Sequence, residues 1–312
     1  WLPDCLPPST SFQFLNLRQG FPLVWGYAFY RSFFKTILIS PPRNVAQLRT
    51  AYLHSVIELF DPQLVLSLAD NNQPLLDYAS SKEGRPVVLI QNSLRRRTHA
   101  PFTYKRIPTY FTLGLVEQRR FAEAGTLSQE IIPLGSLALG VALALPPTSP
   151  LPPADICFIS SYRPAPHGKI STTESQLLVT THRILFLLVV KFAATNGFRV
   201  RVITKAKAPD QLHLETAYFT ELAPEKQIDF VVSDRNLNPF NSYYGAMSSR
   251  LIVCDHSTLG FELFGIGYRV LFGSSISPDM LSMIGIEDYF AELPTLVKLE
   301  ATSQVVFNSK AQ

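Results

Sequence analysis

The sequence predicts an α/β protein built from two parallel sheets. Short apolar segments alternate with longer ones in which apolar residues recur every three or four positions, as in strands followed by helices. The alternation stops at residues 146–153, where proline occupies five of eight positions, and then resumes. Such a run cannot join a helix or a central strand, so it predicts a stiff linker between two Rossmann-like halves.

Composition agrees with a globular chain of this kind. Of the 312 residues, 46% are hydrophobic and 17% are charged, and the length predicts two domains. The net charge of +4 fits an anionic ligand or an acidic membrane surface, and it is too small to indicate nucleic acid. The only dense basic run, Arg95–Arg97, is ordinary for a solvated loop.

The cysteines and the apolar runs exclude other classes. Cys157 and Cys254 lie in apolar strand patterns, and no cysteine has metal-ligand spacing, which predicts a reducing compartment and no structural zinc. The longest apolar runs, 134–145 and 184–194, are too short to span a bilayer. The chain lacks a signal peptide and begins at Trp1, so we expect a piece excised from a longer protein.

The first half, residues 1–145, opens with a segment rich in proline and aromatic residues. We expect its rings to pack against the first domain, and the alternative is a surface that faces lipid or an acceptor. The patterns that follow predict a helix at 44–60, a strand at 64–68, a helix at 73–81, strands at 86–90 and 109–113, a helix at 115–124 and a strand at 130–134.

In the second half, residues 154–312, strand and helix patterns alternate again. Strands are predicted at 156–159, 198–204, 228–232, 251–254 and 269–272. Helices are predicted at 174–196, 211–222 and 239–249, from 258, and again from 280. In open α/β sheets, ligands bind at the carboxyl ends of the strands, so we expect a cleft between the two halves.

Polar residues follow the predicted strands at 70–72, 91–92, 160–163, 233–235 and 255–258. The alternative for each group is an ordinary loop of turn-forming residues. Asp70 is the best-placed carboxylate for covalent or acid–base chemistry, because it ends an apolar strand and amides follow it. Its alternative role is to cap the next helix.

The helix predicted from Thr258 offers a phosphate site. Asp255, Ser257 and Thr258 are favourable N-cap residues, and the positive end of a helix dipole attracts anions. The alternative is an ordinary capped helix. His256 is a candidate phosphate contact. Glu262 is a candidate to bind ribose hydroxyls, and its alternative role is to complement the helix dipole.

Familiar enzyme signatures are missing from the sequence. It contains no GxSxG, no P-loop, no GxGxxG and no paired histidine ligands. This disfavours α/β-hydrolases, NTPases, dehydrogenases and metalloenzymes.

Several short motifs, taken in order, resemble the surface-carbohydrate biosynthesis proteins of bacteria. The resemblance covers about residues 45–273 and rests on Asp70-Asn-Asn72, Val88-Leu-Ile-Gln-Asn-Ser-Leu-Arg95, Tyr110-Phe-Thr-Leu-Gly114 with Glu117, Pro133-Leu-Gly-Ser136, Ile156-Cys-Phe-Ile-Ser-Ser-Tyr-Arg163 and Ser257-Thr-Leu-Gly-Phe-Glu262. These proteins look like GT-B glycosyltransferases. They are similar in layout to the retaining β-Kdo transferases, whose donor is CMP-Kdo.

The resemblance implies a GT-B-like fold with an N-terminal acceptor domain and a C-terminal donor domain. It makes Asp70 the candidate nucleophile, and the other candidate catalytic residues are Asn72, Gln91 and Asn92. The implied nucleotide-binding residues are Ser160, Ser161, Arg163, His256, Ser257, Thr258 and Glu262. Ser93 departs from the motif, because the family form has glycine after Gln-Asn. No DxD motif is present, so the implied site uses no metal and no cofactor beyond the donor.

The sequence therefore predicts a cytoplasmic glycosyltransferase at the inner face of a membrane. Its expected partners are a nucleotide-sugar donor and a glycan or lipid-linked acceptor, with peripheral membrane association and no nucleic acid. One alternative is an epimerase or polyol-phosphate transferase on the same two-domain frame. The other is a module that binds glycan without catalysis.

Overall fold

The computed structural model describes residues 26–39, 41–80, 85–95, 106–128, 130–145, 147, 150–162, 173–206, 208–232 and 239–273. By its internal contacts the chain divides into two units, Trp1–Ser136 and Leu137–Gln312. Within the described residues, no helix is long and apolar enough to cross a membrane.

The first unit is built on a four-stranded parallel sheet in which the strands follow chain order. These strands are β1 (Val65–Ser67), β2 (Val87–Ile90), β4 (Thr109–Thr112) and β6 (Ile131–Pro133). A separate short parallel pair consists of β3 (Arg106–Ile107) and β5 (Leu127–Ser128). The helices are α1 (Tyr27–Ile39), α2 (Val45–Phe60), α3 (Gln73–Ala79) and α4 (Leu115–Glu123).

Local sequence explains where two of these helices begin. The Asn44 side chain accepts a hydrogen bond of 2.9 Å from the Gln47 backbone N–H at the start of α2. The Asn72 side chain does the same for the Leu75 N–H at the start of α3, at 3.1 Å. Asparagine is favoured at N-caps because its side-chain oxygen satisfies an N–H that has no intrahelical acceptor. The capping role considered for Asp70 thus belongs to Asn72.

The second unit is a five-stranded parallel sheet in the order β11-β10-β7-β8-β9. Its strands are β7 (Ala154–Ile159), β8 (Val200–Ile203), β9 (Ile228–Val231), β10 (Ser249–Cys254) and β11 (Val270–Phe272). Its helices are α5 (Leu137–Ala144), α6 (Thr173–Asn196), α7 (Pro209–Leu222), α8 (Asn241–Met247) and α9 (Thr258–Gly265). The direction in which strands are added reverses between β7 and β10.

Helices cover both faces of the second sheet. Along β7, Ile156 and Phe158 pack in the cluster that includes α6 and α7, whereas Cys157 and Ile159 pack in the cluster that includes α8 and α9. Successive side chains of a strand point to opposite faces, so a strand buried on both faces reads as a continuous apolar run. The predicted fold class, α/β with a parallel sheet in each half, is confirmed. The predicted cleft between the halves stays a prediction.

The segment before β7 is fastened to the second unit. The Tyr244 hydroxyl of α8 donates to the Leu145 carbonyl just after α5, at 2.7 Å. The guanidinium of Arg201, fully buried on β8, donates to the Pro152 carbonyl at 2.7 Å and to the Asp229 carboxylate at 2.7 Å. Helix α5 is therefore grouped with the second unit, although the sequence analysis placed its residues in the first domain. The predicted domain limits, with a linker at 146–153, stay a prediction.

The two helices and two short strands missed by the sequence analysis have identifiable reasons. Helix α1 lies in the aromatic segment whose structure was not assigned, and α5 lies in an apolar run with no polar face to reveal its period. Strands β3 and β5 have two residues each, too few to show alternation. The helix predicted from 280 and the polar group at 233–235 lie outside the described residues.

Helix α9 packs closely on β10 through a glycine. A Cβ at Gly260 would overlap the Sγ of Cys254 and lie 3.3 Å from Cε1 of Phe272. Both neighbours are fully buried, so neither can move aside easily.

Burial also raises the pKa of the Cys157 thiol to about 12 and the pKa of the Cys254 thiol well above its usual value. Both thiols therefore stay protonated.

We predict that Gly260→Ala destabilises the protein by about 1–3 kcal/mol, as overpacking of a core does. Urea unfolding followed by circular dichroism measures the change. Gly265→Ala in the same helix is the matched control, because nothing lies within 4 Å of its new Cβ. Equal stability of the two variants would contradict the close approach of α9 to β10.

Candidate functional site

The carboxyl ends of β7 and β10 lie side by side where the strand order of the second sheet reverses. In open α/β sheets this switch point leaves a crevice in which ligands bind. Ser160 and Ser161 directly follow β7, and the segment from Asp255 to Thr258 directly follows β10. The structure thus brings together most of the residues predicted to bind a nucleotide. Arg163 lies outside the described residues.

The Asp255 carboxylate is the centre of this cluster. Its Oδ2 accepts a hydrogen bond of 2.5 Å from the Ser161 hydroxyl and lies 3.2 Å from Nδ1 of His256. Its Oδ1 accepts the His256 backbone N–H at 2.7 Å. The Asp255 side chain is only 3% exposed, and that of His256 is 29% exposed. A buried carboxylate therefore orients a histidine that a ligand can reach.

Two effects oppose each other on the pKa of Asp255. Burial favours the neutral acid and raises the pKa. Hydrogen bonds and charge interactions with His182 and His256 outweigh burial and hold the pKa of the carboxyl well below its usual range. Asp255 is therefore an anion at neutral pH.

His182 of α6 completes the cluster and was missed by the sequence analysis. Its Nδ1 lies 3.0 Å from the Ser161 Oγ and 3.5 Å from Oδ2 of Asp255. Because the Ser161 hydrogen is donated to Asp255, Nδ1 must donate to Ser161, which assigns a proton to Nδ1. Nε2 is buried and finds no hydrogen-bond partner in the described part of the chain.

The Ser161–His182–Asp255 contacts do not form a hydrolase triad. A triad uses one imidazole nitrogen for the serine and the other for the carboxylate. Here Nδ1 alone faces both groups, and the ring lies against Phe158 and Phe219, with centroids at 4.9 Å and 5.8 Å. His182 therefore orients Ser161 and Asp255 and is not arranged as a general base.

The two serines that follow β7 have different partners. Ser160 donates to the fully buried Glu215 of α7, which also accepts the backbone N–H groups of Lys205 and Ala206, at 3.0 Å and 2.7 Å. Glu215 thereby ties together the carboxyl ends of β7 and β8. Ser160 supports the site, whereas Ser161 belongs to the Asp255 cluster.

The first turn of α9 borders the same cluster. Ser257 is the N-cap residue, and its side chain forms no capping hydrogen bond. The first intrahelical bond runs from the Phe261 N–H to the Ser257 carbonyl, so the N–H groups of Leu259 and Gly260 have no acceptor inside the helix. Such N–H groups, with the helix dipole, attract an anion. Glu262, one turn later, accepts a hydrogen bond of 2.7 Å from the Tyr243 hydroxyl.

In the first unit, Asp70 is fully buried at the carboxyl edge of the sheet. It accepts hydrogen bonds from Nε of Arg95 at 2.9 Å and from the Tyr110 hydroxyl at 2.6 Å, and Arg95 contacts its other oxygen. Burial raises the pKa of Tyr110 well above its usual value, and the Asp70 charge acts in the same direction. Tyr110 therefore stays a donor, and both carboxylate oxygens are engaged.

The other predicted catalytic residues also have internal partners. Gln91 accepts the Leu113 N–H at 2.8 Å and donates to Glu117 at 3.1 Å. Asn92 donates to the Leu68 carbonyl and accepts from Arg95 at 2.9 Å. With Asn72 capping α3, these contacts hold the polar edge of the first sheet together. The catalytic roles of the four residues stay predictions.

Sequence reasoning missed His182, Glu215 and Tyr110 because they lie on helices or strands, outside the strand-end loops that were searched. It missed Arg95 because the basic run that contains this residue was assigned to a solvated loop. The run Thr180–Arg183 carries a signal, since four polar residues interrupt an apolar helix, and two of them, Thr181 and His182, are buried. Among the described residues, no group of three or more His, Cys, Asp and Glu side chains is placed to hold a metal ion.

A family model described as "putative O-antigen biosynthesis protein" matches residues 123–281 of the chain. The match spans just over half of the 312 residues. It includes every residue predicted to bind a nucleotide and none of the four predicted catalytic residues. The comparison with curated proteins finds no match.

Among solved structures, the chain is similar to the wall teichoic acid polymerase TagF in a soak with CDPG. The identity is 12% and the TM-score is 0.41. The similarity covers 78% of this chain and 62% of the TagF chain, so the chain spans about three fifths of that structure's length.

We predict that Asp70→Asn lowers the free energy of unfolding by about 3–5 kcal/mol, because Arg95 loses the carboxylate that balances its buried charge. Urea unfolding measures this. Tyr110→Phe is the matched control. It removes one hydrogen bond to the same carboxylate and should cost about 1 kcal/mol. A stable Asn variant that has lost only turnover would instead favour the nucleophile role.

A second prediction follows from the depressed pKa of Asp255. Such a group contributes stability that is fully present above its unfolded-state pKa, about 3.9, and is lost as the pH falls through its folded-state pKa. The stability advantage of the wild type over Asp255→Asn should therefore be largest above about pH 4 and shrink below it.

Urea unfolding at a series of pH values tests this second prediction. Asp155→Asn is the control, because Asp155 forms a partly exposed pair with Arg250 at 3.3 Å, and such pairs contribute little. An advantage over Asp255→Asn that grows as the pH falls would contradict the assignment.

Proposed function

Because the chain belongs to the family of O-antigen biosynthesis proteins, we propose that it is a glycosyltransferase that binds its nucleotide-sugar donor at the switch point of the second sheet. The observation that carries the proposal is the Asp255 cluster beside the first turn of α9. A polar cluster at a switch point, next to a helix N-terminus, suits the phosphates of a nucleotide. The acceptor class that we propose is a growing surface polysaccharide.

The donor phosphates would meet N–H groups of the first turn of α9 and the imidazole of His256. Ser161 and the Asp255 carboxylate would hold His256 and the turn in place. A phosphate that gains charge as the sugar departs is stabilised by donors already oriented toward it. His182 would act through Ser161 and Asp255, without contact to the donor.

The finer parts of the proposal are the two-domain GT-B arrangement, a metal-independent reaction and CMP-Kdo as the donor. The first unit would then bind the acceptor, with Gln91 and Asn92 near the sugar. Asp70 is the proposed nucleophile from the sequence, but its contacts with Arg95 and Tyr110 favour a positioning role. Peripheral association with the inner face of a membrane belongs to the same proposal, because a lipid-linked acceptor lies there.

A non-catalytic glycan-binding module is the second candidate. The observation that favours it is that Asp70, Asn72, Gln91 and Asn92 all form hydrogen bonds within the first unit. A protein of this kind would keep the fold without turning over a donor.

We predict that one of CMP, CDP, UDP and GDP, or a sugar conjugate of one, raises the melting temperature selectively. A ligand that binds only the native state stabilises it by mass action. His256→Ala should weaken this binding about tenfold, which corresponds to about 1.4 kcal/mol. Thermal-shift titration and calorimetry measure both effects.

The control for this prediction is His213→Ala, which removes an exposed histidine of α7. It should leave the shift unchanged. An equal shift in the His256→Ala variant and the wild type would place the nucleotide elsewhere. No shift of the melting temperature with any nucleotide would favour the non-catalytic module.

A further inference from the structure

Helix α1 has an inner face that holds it on α2. Phe29 is 4% exposed, and its ring meets that of Tyr52 edge-on at 5.1 Å. Phe33 contacts the same Tyr52 ring at 6.2 Å. These contacts fix which side of α1 faces outward.

The outer face of α1 is apolar and largely exposed. Tyr27 is 82% exposed, Phe34 57% and Leu38 79%. These residues recur at the spacing of one helix face, and Arg31 and Lys35 lie between them. We call Tyr27, Arg31, Phe34, Lys35 and Leu38 the aromatic-basic face. Ile39 and Val45, which flank the turn to α2, extend the exposed apolar surface, at 73% and 66%.

Charge along this region has one sign. Residues 26–57, which include all of α1 and most of α2, contain no Asp or Glu. They contain Arg31, Lys35, Arg43 and Arg49. These four positive charges equal the formal net charge of the whole chain, +4. Net positive charge and exposed apolar side chains thus coincide on one helical pair of the first unit.

We propose that the aromatic-basic face binds an anionic lipid surface. Aromatic and aliphatic side chains enter the boundary between headgroups and acyl chains, while arginine and lysine reach the anionic headgroups with their long stems. A second copy of the chain fits this face poorly, because two faces of the same positive charge would meet. The proposal identifies the surface for the membrane association proposed above, and it does not depend on sugar transfer.

Co-sedimentation of the full chain with sucrose-loaded vesicles tests the proposal. Vesicles of phosphatidylcholine with phosphatidylglycerol are compared with vesicles of phosphatidylcholine alone, at low and high salt. We expect binding to the anionic vesicles only, weakened by salt because screening shortens the range of the attraction. Arg31→Gln with Lys35→Gln, and separately Phe34→Ser with Leu38→Ser, should each reduce binding about tenfold or more.

Matched controls remove the same side-chain types elsewhere. Arg183→Gln with Lys191→Gln changes two exposed basic residues of α6, and Leu214→Ser changes a leucine of α7 that is 51% exposed. Both controls should bind vesicles as the wild type does. Thermal unfolding and nucleotide binding, measured on every variant, separate a loss of lipid binding from a loss of fold or of the proposed donor site.

Each other outcome overturns the proposal. No binding to anionic vesicles, or binding that the α1 variants leave unchanged, shows that this face does not meet lipid. Equal losses in the α6 control show that net charge alone is responsible. A dimer in solution that the Phe34 and Leu38 changes convert to a monomer, without vesicle binding, assigns the face to a second copy of the chain.

Discussion

A carboxylate buried at the end of a strand must receive hydrogen bonds, because an unpaired buried charge is very costly. Asp255 meets this requirement with hydrogen bonds from Ser161 at the end of β7 and from the backbone of its own turn, and His182 of helix α6 lies against the same carboxylate. The need to satisfy one anion therefore fixes how these elements meet at the switch point. It also fixes which histidine remains accessible, since His182 is enclosed and His256 is not.

The architecture of the second unit was largely predictable because its strands are buried on both faces. Continuous apolar runs such as Ile156–Ile159, bounded by polar residues, distinguish strands from helices, and the order of elements implies a parallel sheet. Helix α1 was not predictable in the same way, because aromatic residues, which are typical of strands, lie on both of its faces. The reversal of strand order was not predictable either, because local sequence patterns do not show which strands become neighbours in the sheet.

The sequence predicted only those site residues that lie in the loops directly after strands. Ser161 and His256 were found because they lie in the loops that directly follow β7 and β10. Their partner His182 lies on a helix, and its proximity arises only when the helix packs on the sheet. Asp70 shows the converse limit: its position at a strand end was read correctly, but its partners Arg95 and Tyr110 come from other segments. The family match confirms surface-carbohydrate biosynthesis as the broad class that the motifs predicted.

The attachment of the proline-rich segment has a practical consequence for anyone who studies the second unit by itself. A fragment cut at residue 154, where the sequence pattern places the domain, would remove the Pro152 carbonyl from a guanidinium that is fully buried on β8. It would also expose the α8 surface that α5 and Leu145 cover. A fragment that begins at Leu137, where the second unit begins, keeps both attachments and is the better choice for expressing that unit alone.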